Sequence, residues 1–435
     1  MKKVEPRTLS GFMELLPNDQ LKFNKLYDAI RNTYEKFGFL PLDTPIIEAS
    51  EVLLAKAGGE TEKQVYQIKR GDSDLTLRFD LTVPLAKYVA KNYGQLSFPF
   101  RRYQIGKVYR GERAQKGRFR EFYQCDIDII GDGELSVIND AEIPYIILNV
   151  FSNMGLKNFV IKINNRKLLN GFFAYLKIDD KSADIMRIID KIDKIGTENV
   201  ISELIGFNID KATVDKIISF ISTKGTNDDI IKTLENLEIN NDLYRLGLEE
   251  LKTVVSYACA FGMSNDNLNI DLRISRGLDY YTGTVYETFL RDYPELGSIC
   301  SGGRYDNLAE YYTDRKLPGV GISIGLTRLF DKLLELDIIK DEKISVSDML
   351  IIPMTDNYNY IIDCYNRLVS NNKRVQIIYD NKRSIKSMIN YAINQNIPNV
   401  IFIGNDEVSN KTMTIKNLDN YEQKTIQIEN IEKEL

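Results

Sequence analysis

The sequence predicts an α+β protein: a large domain on an antiparallel sheet, interrupted by a helical insertion and followed by a smaller α/β domain. Three observations carry this. Residues from Thr76 to about Asn164 fall into short alternating segments with helices between them, as in a half-buried antiparallel sheet. From roughly 166 to 255 the chain changes to short amphipathic helices, among them "ADIMRIIDKIDKIG", "ATVDKIISFIS" and "DDIIKTLENLE", and strand-rich sequence resumes at 268–289 and 298–304. After "LDIIKDEKISVSD" the order is strand ("MLIIPM"), helix (356–370), strand ("RVQIIY"), helix (384–394), strand ("NVIFIG"), which implies parallel strands joined by helical crossovers. The expected boundaries are 1–165 and 256–335 for the two parts of the large domain, 166–255 for the insertion, and 345–435 for the C-terminal domain.

Taken in order, residues 18–37 place Leu21, Leu26, Ile30 and Tyr34 at helical spacing, and Pro41 and Pro45 in "GFLPLDTP" prevent the helix from continuing. In the strand "REFYQCDIDIIG", side chains alternate. Phe122, Gln124, Asp126 and Asp128 share one face, and Tyr123, Cys125, Ile127 and Ile129 share the other. The second set is an ordinary core face. The first is a ring, an amide and two carboxylates, fed by the arginine-rich hairpin "RRYQIGKVYRGERAQKGRFREF". Guanidinium groups fork onto phosphate and carboxylate oxygens, so this combination suits an anionic ligand. Further on, "RISRGLDYYTGTVYETF" (273–289) sets Arg276 before Tyr280 and Tyr281 at the mouth of another alternating strand.

Composition excludes several chemistries. The 435 residues include no histidine, so no imidazole base, Ser-His-Asp or Cys-His dyad, or H-E-x-x-H zinc site can operate. The four cysteines are scattered without a C-x-x-C pair, and neither a phosphate-loop motif nor G-x-G-x-x-G after a strand is present. Chemistry must fall to arginines, carboxylates, tyrosines and a bound metal. No run of about eighteen apolar residues and no signal-like segment occurs, which predicts a cytoplasmic protein without membrane contact. A net charge of −5 argues against a general DNA-binding coat but leaves room for RNA held by local basic patches.

At this point the motifs resemble a known family. "VYRGERAQKGRFREFYQCDIDIIG" looks like motif 2 of the class II aminoacyl-tRNA synthetases, "GVGISIGLTRLF" like motif 3, and the first helix with "PLDTPIIEASEV" like the dimer-forming motif 1. "RGLDYYTGTVYE" and "SGGRYDNL" are similar to the two signatures of the histidine-specific branch, and the resemblance covers nearly the whole chain. It implies ligation of L-histidine to histidine tRNA through histidyl-adenylate, with ATP as substrate, Mg2+ on the phosphates, a homodimer, and an anticodon-binding C-terminal domain. It implies no metal site on the protein beyond a carboxylate contact to Mg2+.

The resemblance also implies residue roles. Arg110 and Arg276 are the catalytic cations at the α-phosphate, beside the amino-acid carboxylate. Glu112, Arg118, Phe122 and Arg328 join Arg110 around ATP, with Phe122 under adenine. Asp80, Thr82 and Gln124 hold the backbone end of histidine, Asp128 accepts from one ring nitrogen, and Tyr280, Tyr281 and Tyr305 enclose the imidazole. Arg113 and Gln115 meet the tRNA acceptor end, and Lys382, Arg383 and Lys386 meet the anticodon. Two other readings share the motifs: a catalytically idle regulatory subunit of ATP phosphoribosyltransferase, and a tRNA-sensing binding module.

Overall fold

The computed structural model describes residues 3–55, 64–112, 117–275, 281–339, 345–379 and 383–434. They form two compact units, Met1–Ile338 and Ile339–Leu435. Among the described residues no helix is long and apolar enough to cross a membrane.

The first unit is built on an eight-stranded sheet in the order β1-β5-β6-β11-β10-β9-β7-β8. These strands are β1 (Leu40–Pro41), β5 (Phe100–Tyr109), β6 (Glu121–Ile130), β7 (Phe159–Asn165), β8 (Leu268–Ile270), β9 (Thr284–Leu290), β10 (Cys300–Tyr305) and β11 (Gly319–Gly325). The central pairings are antiparallel, as the alternation predicts; the short outer strands β1 and β8 pair in parallel. A small three-stranded sheet, β2 (Ile47–Ala49), β4 (Ser73–Leu77) and β3 (Gln67–Arg70), stands beside it.

One face of the large sheet is apolar and covered by helices. Helix α1 (Pro17–Lys36) starts with proline, which needs no N–H partner in the first turn, and buries Phe23, Leu26, Ile30, Thr33 and Tyr34 at 3.6-residue spacing. Phe23 packs on Tyr123 of β6 (centroids 5.3 Å) and on Phe330 (5.2 Å), while the Tyr34 hydroxyl donates to the Cys125 carbonyl at 3.0 Å. A second helix on this face carries the ion pairs that tie it to the sheet: Glu142 accepts both guanidinium nitrogens of Arg101 at 2.8 Å, and Asp140 pairs with Arg304 of β10 at 2.7 Å. The opposite face is polar over its centre, while at one end Phe100 and Ile130 pack with Leu85, Ala86 and Val89. The segment Phe79–Leu81 leads across it into α2 (Thr82–Asn92), and the helix with Asp140 and Glu142 is α3 (Ile138–Asn153).

Between β7 and β8 the chain forms the helices expected from its amphipathic repeats, from α4 (Arg166–Tyr175) through to α9 (Asp242–Phe261), with α5 (Ser182–Ile189), α6 (Thr197–Gly206), α7 (Lys211–Ile221) and α8 (Asn227–Asn236) between. The last of these helices continues to Phe261, past the residue-255 limit read from sequence, and the whole block stays within the first compact unit.

The second unit holds β12 (Met349–Pro353), β13 (Val375–Ile377) and β14 (Asn399–Ile403), parallel as predicted, with α11 (Tyr358–Ser370) and α12 (Ile385–Asn394); α10 is the helix Leu326–Glu335 that follows β11 in the first unit. Alternate residues of β12 divide between the two helices. Met349 and Ile351 join Ile361, Cys364 and Leu368 of α11, and Leu350 and Ile352 join Met388 and Ala392 of α12. Two antiparallel strands absent from the sequence reading, β15 (Thr412–Asn417) and β16 (Gln423–Gln427), extend this sheet, so it is mixed.

Candidate active site

Residues directly opposite in an antiparallel pair share a face, so the ladder itself assembles the polar side of the sheet. One row runs from Arg102 of β5 to Asp128 of β6, Gly321 of β11 and Gly303 of β10. The next is Gln104, Asp126, Ser323 and Ser301, and the third is Gly106, Gln124 and Gly325. Long polar side chains on β5 and β6 thus face glycine and serine on β11 and β10, which leaves a trough over the centre of the sheet.

At one end of the trough Asp128 is almost wholly buried and doubly held. Its Oδ2 pairs with Arg102 at 2.6 Å, and its Oδ1 accepts from the Tyr305 hydroxyl at 2.7 Å. Burial pushes the Asp128 carboxyl up, and the Arg102 guanidinium and the Tyr305 hydroxyl pull it back. Two of the three glycines of β11, Gly319 and Gly321, make this arrangement fit. A Cβ at Gly321 would lie 2.3 Å from Asp128 Oδ1, and one at Gly319 would lie 2.5 Å from the Tyr305 ring. Tyr281 packs beside Tyr305, and its ring comes within 3.0 Å of where a Gly303 Cβ would stand.

Towards the other end lie the phosphate candidates. Arg110 donates through Nε to the Phe79 carbonyl at 3.0 Å and stands 5.2 Å over the Phe122 ring, which leaves the other ring face for stacking. Arg118 pairs with Glu112 at 3.2 Å. Arg328, at the start of α10, donates to the Leu296 carbonyl, and burial with the neighbouring charge of Arg118 lowers its pKa. Between the two ends, Asp80 accepts from the Val83 N–H in the first turn of α2 at 3.0 Å, and Thr82 is buried beside it. The side-chain nitrogen of Gln124 donates to Ser323 at 2.9 Å.

The sheet therefore brings together Asp80, Thr82, Arg110, Gln124, Asp128, Tyr281 and Tyr305, with Glu112, Arg118, Phe122 and Arg328 nearby. Arg276, Tyr280, Arg113, Gln115 and Lys382 lie outside the described residues. Sequence reasoning missed Arg102, the guanidinium that pairs with Asp128. It sits in the strand "RRYQIGKVY", where a two-residue count from Gln104 puts it on the polar face.

The family model described as histidyl-tRNA synthetase matches residues 11–329. The chain belongs to the histidyl-tRNA synthetase family. A second model, for an anticodon binding domain, matches residues 348–435, the unit in which Arg383 and Lys386 stand exposed. A histidine–tRNA ligase from Clostridium tetani is 55% identical over 99% of this chain and 98% of its own length. One from Finegoldia magna is 48% identical over 98% of this chain and 99% of its own. The crystal structure of histidyl-tRNA synthetase from Nostoc sp. PCC 7120 matches with a TM-score of 0.89 at 38% identity, covering 100% of both chains.

Within this histidyl-tRNA synthetase fold, Gly321 is a direct test of the trough. The substitution Gly321→Ala is expected to push Asp128 off Tyr305, lowering stability by about 1–3 kcal/mol and removing measurable histidine binding. Thermal unfolding and calorimetric titration with histidine check both, and unchanged histidine affinity would place the binding site elsewhere.

Proposed function

We propose that this chain activates L-histidine with ATP as histidyl-adenylate and transfers the histidyl group to the 3′ end of histidine tRNA. Histidine–tRNA ligase activity is that of its full-length relatives, and the chain is an aminoacyl-tRNA ligase. The observation that carries the route is the shared sheet face. It sets the Asp128–Tyr305 pair at one end and Arg110, Phe122, Arg118 and Arg328 at the other.

The first step is attack of the histidine carboxylate on the α-phosphate, with pyrophosphate leaving. The nucleophile is already ionised, so a protein without imidazole loses nothing, and catalysis reduces to alignment and charge stabilisation. In our reading Arg110 and Arg276 take the α-phosphate oxygens and Arg118 and Arg328 the distal ones, with adenine on Phe122. Asp128 and Tyr281 bond the two ring nitrogens, Tyr280 and Tyr305 close around the ring, and Asp80, Thr82 and Gln124 hold the backbone end. A pocket with polar partners for both ring nitrogens rejects substrates that leave them unpaired.

In our reading Mg2+ arrives on the triphosphate, and Glu112, which pairs with Arg118, is the carboxylate beside the phosphate arginines. There the ion would neutralise phosphate charge. Arg113 and Gln115 serve the acceptor end, and Lys382, Arg383 and Lys386 the anticodon. The deciding measurement is histidine-dependent exchange of labelled pyrophosphate into ATP. A chain that binds histidine or tRNA without exchange would be the idle regulatory subunit or the sensing module.

We also read the molecule as a two-fold dimer. Leu40, Ile46 and Ile47 of the motif 1 segment, and Ile68 on β3, are exposed apolar side chains that an isologous contact would bury. Light scattering is expected to give twice the 50.0 kDa chain mass, and Ile47→Asp to give the monomer with activity lost. A fully active monomeric wild type would overturn this.

A further inference from the structure

The middle row of the trough contains an acid to which none of these roles falls. Asp126 lies two residues before Asp128 on β6, between Gln104 and Ser323, and is 2% exposed. One of its oxygens is hydrogen-bonded with Ser323, while Oδ1 is buried and has no hydrogen-bond partner among the described residues. Three more buried acceptors on the same side share that condition: Asp80 Oδ2, Gln104 Oε1 and Gln124 Oε1.

We infer that Asp126 is a substrate-binding residue that seats the protonated α-amino group of L-histidine together with Asp80 and Gln124, and thereby selects α-amino acids over imidazole acids lacking the amine. This rests on the histidine-binding reading above.

The chemistry favours an ammonium over other occupants. The unpartnered atoms around Asp126 are four acceptor oxygens, of Asp126, Asp80, Gln104 and Gln124, and two donors, Nε and Nη1 of Arg102; an ammonium, with three N–H donors and no acceptor, answers the oxygens. The charge balance agrees. Arg102 from β5, Asp128 from β6 and Asp80 act on Asp126, and Arg110 acts on Asp80, with neutral Gln104, Gln124 and Ser323 in the same rows and Glu287 of β9 further along. Arg102 bonds Asp128 and the Leu81 carbonyl through Nη2 alone, with its Nε and Nη1 buried and unpartnered among the described residues, and Arg110 bonds the Phe79 carbonyl. The spacing also fits. Two residues along a strand separate Asp126 and Asp128 by roughly 6.7 Å, which histidine spans with a hydrogen bond at each end.

Burial pushes Asp126 up to about 7 and Asp80 up to about 6 in the free protein. A cation bound against their ionised forms draws both down, so binding releases protons in this range. Affinity is therefore full above pH about 7 and falls as the pH drops through the two acids.

The experiment is isothermal titration of the full chain at about pH 6.5, in two buffers of different ionisation enthalpy, with L-histidine and with 3-(imidazol-4-yl)propanoate, which has hydrogen in place of the amine. In Asp126→Asn, histidine is expected to weaken by at least about tenfold, the value of a hydrogen bond to a charged group. The propanoate is expected to be unchanged, and fewer protons are released with histidine than in wild type. Ser323→Ala, which keeps the carboxylate but removes its orienting hydroxyl, is expected to shift the preference the same way by a few-fold and carries the test if Asp126→Asn does not fold. Equal weakening of both ligands, or of neither, overturns the assignment. A wild-type chain that binds neither ligand overturns instead the histidine-binding reading beneath it.

Discussion

Replacing Arg110 by lysine is expected to lower histidine-dependent pyrophosphate exchange by about 10²–10³-fold, the range for removing one preorganised donor to developing charge. The guanidinium is planar, and it is already positioned by its bond to the Phe79 carbonyl and its place over Phe122. An ammonium on a flexible stem reproduces neither the fork nor the stacking. Arg110 is half-buried at the end of the trough, so the unfolding transition should move by no more than about 0.5 kcal/mol. Exchange within about fivefold of wild type would remove Arg110 from the reaction centre. Under the same reading Arg276→Lys should depress exchange at least as strongly while sparing histidine binding.

Replacing Asp140 by alanine is expected to destabilise the first unit by about 3–5 kcal/mol, because it strands a buried guanidinium. The two side chains are 0% and 5% exposed. Asp140 accepts from Arg304 through both nitrogens at 2.7 and 3.0 Å and from the Thr284 hydroxyl at 2.7 Å, while its carbonyl accepts from Tyr286, also at 2.7 Å. Replacing both charged partners, as Asp140→Leu with Arg304→Met, should recover much of the loss. Urea unfolding followed for the first unit decides. A cost under about 1 kcal/mol for the single variant would mean that the pair is not desolvated as described.

Much of the site was legible because its strands obey a period of two. The split of β6 into Phe122, Gln124, Asp126, Asp128 and an apolar remainder followed from alternation, and Tyr123 does pack against α1. Alternation could not rank residues within a face. Asp126 was visible as a member of the polar set, yet nothing local showed that its carboxylate would be buried with an oxygen unpaired. Alternation puts the neighbouring Arg101 and Arg102 on opposite faces but does not name their partners. Arg101 turns back to Glu142 on α3 and Arg102 turns forward to Asp128, partners set by the fold and not by local sequence. Arg304 and Asp140 meet across 164 residues, beyond any local signal. The strands β15 and β16 escaped notice because they are short and largely polar on one side, so they read as surface. The helical block was clear in kind but ended late, since α9 keeps its apolar stripe until Gly262 adopts the left-handed conformation that stops it.

Under the proposed reading the trough binds through carboxylates, amides, phenols and guanidinium groups, and the chain contributes no imidazole anywhere. Magnetic resonance of the complex therefore has a silent background where it matters most. With labelled L-histidine on unlabelled protein, every imidazole carbon and nitrogen signal arises from the ligand. On that reading, the tautomer chosen between Asp128 and Tyr281, and the ring's protonation in the bound state, can then be followed as pH is changed, with no residue of the protein removed to clear the spectrum.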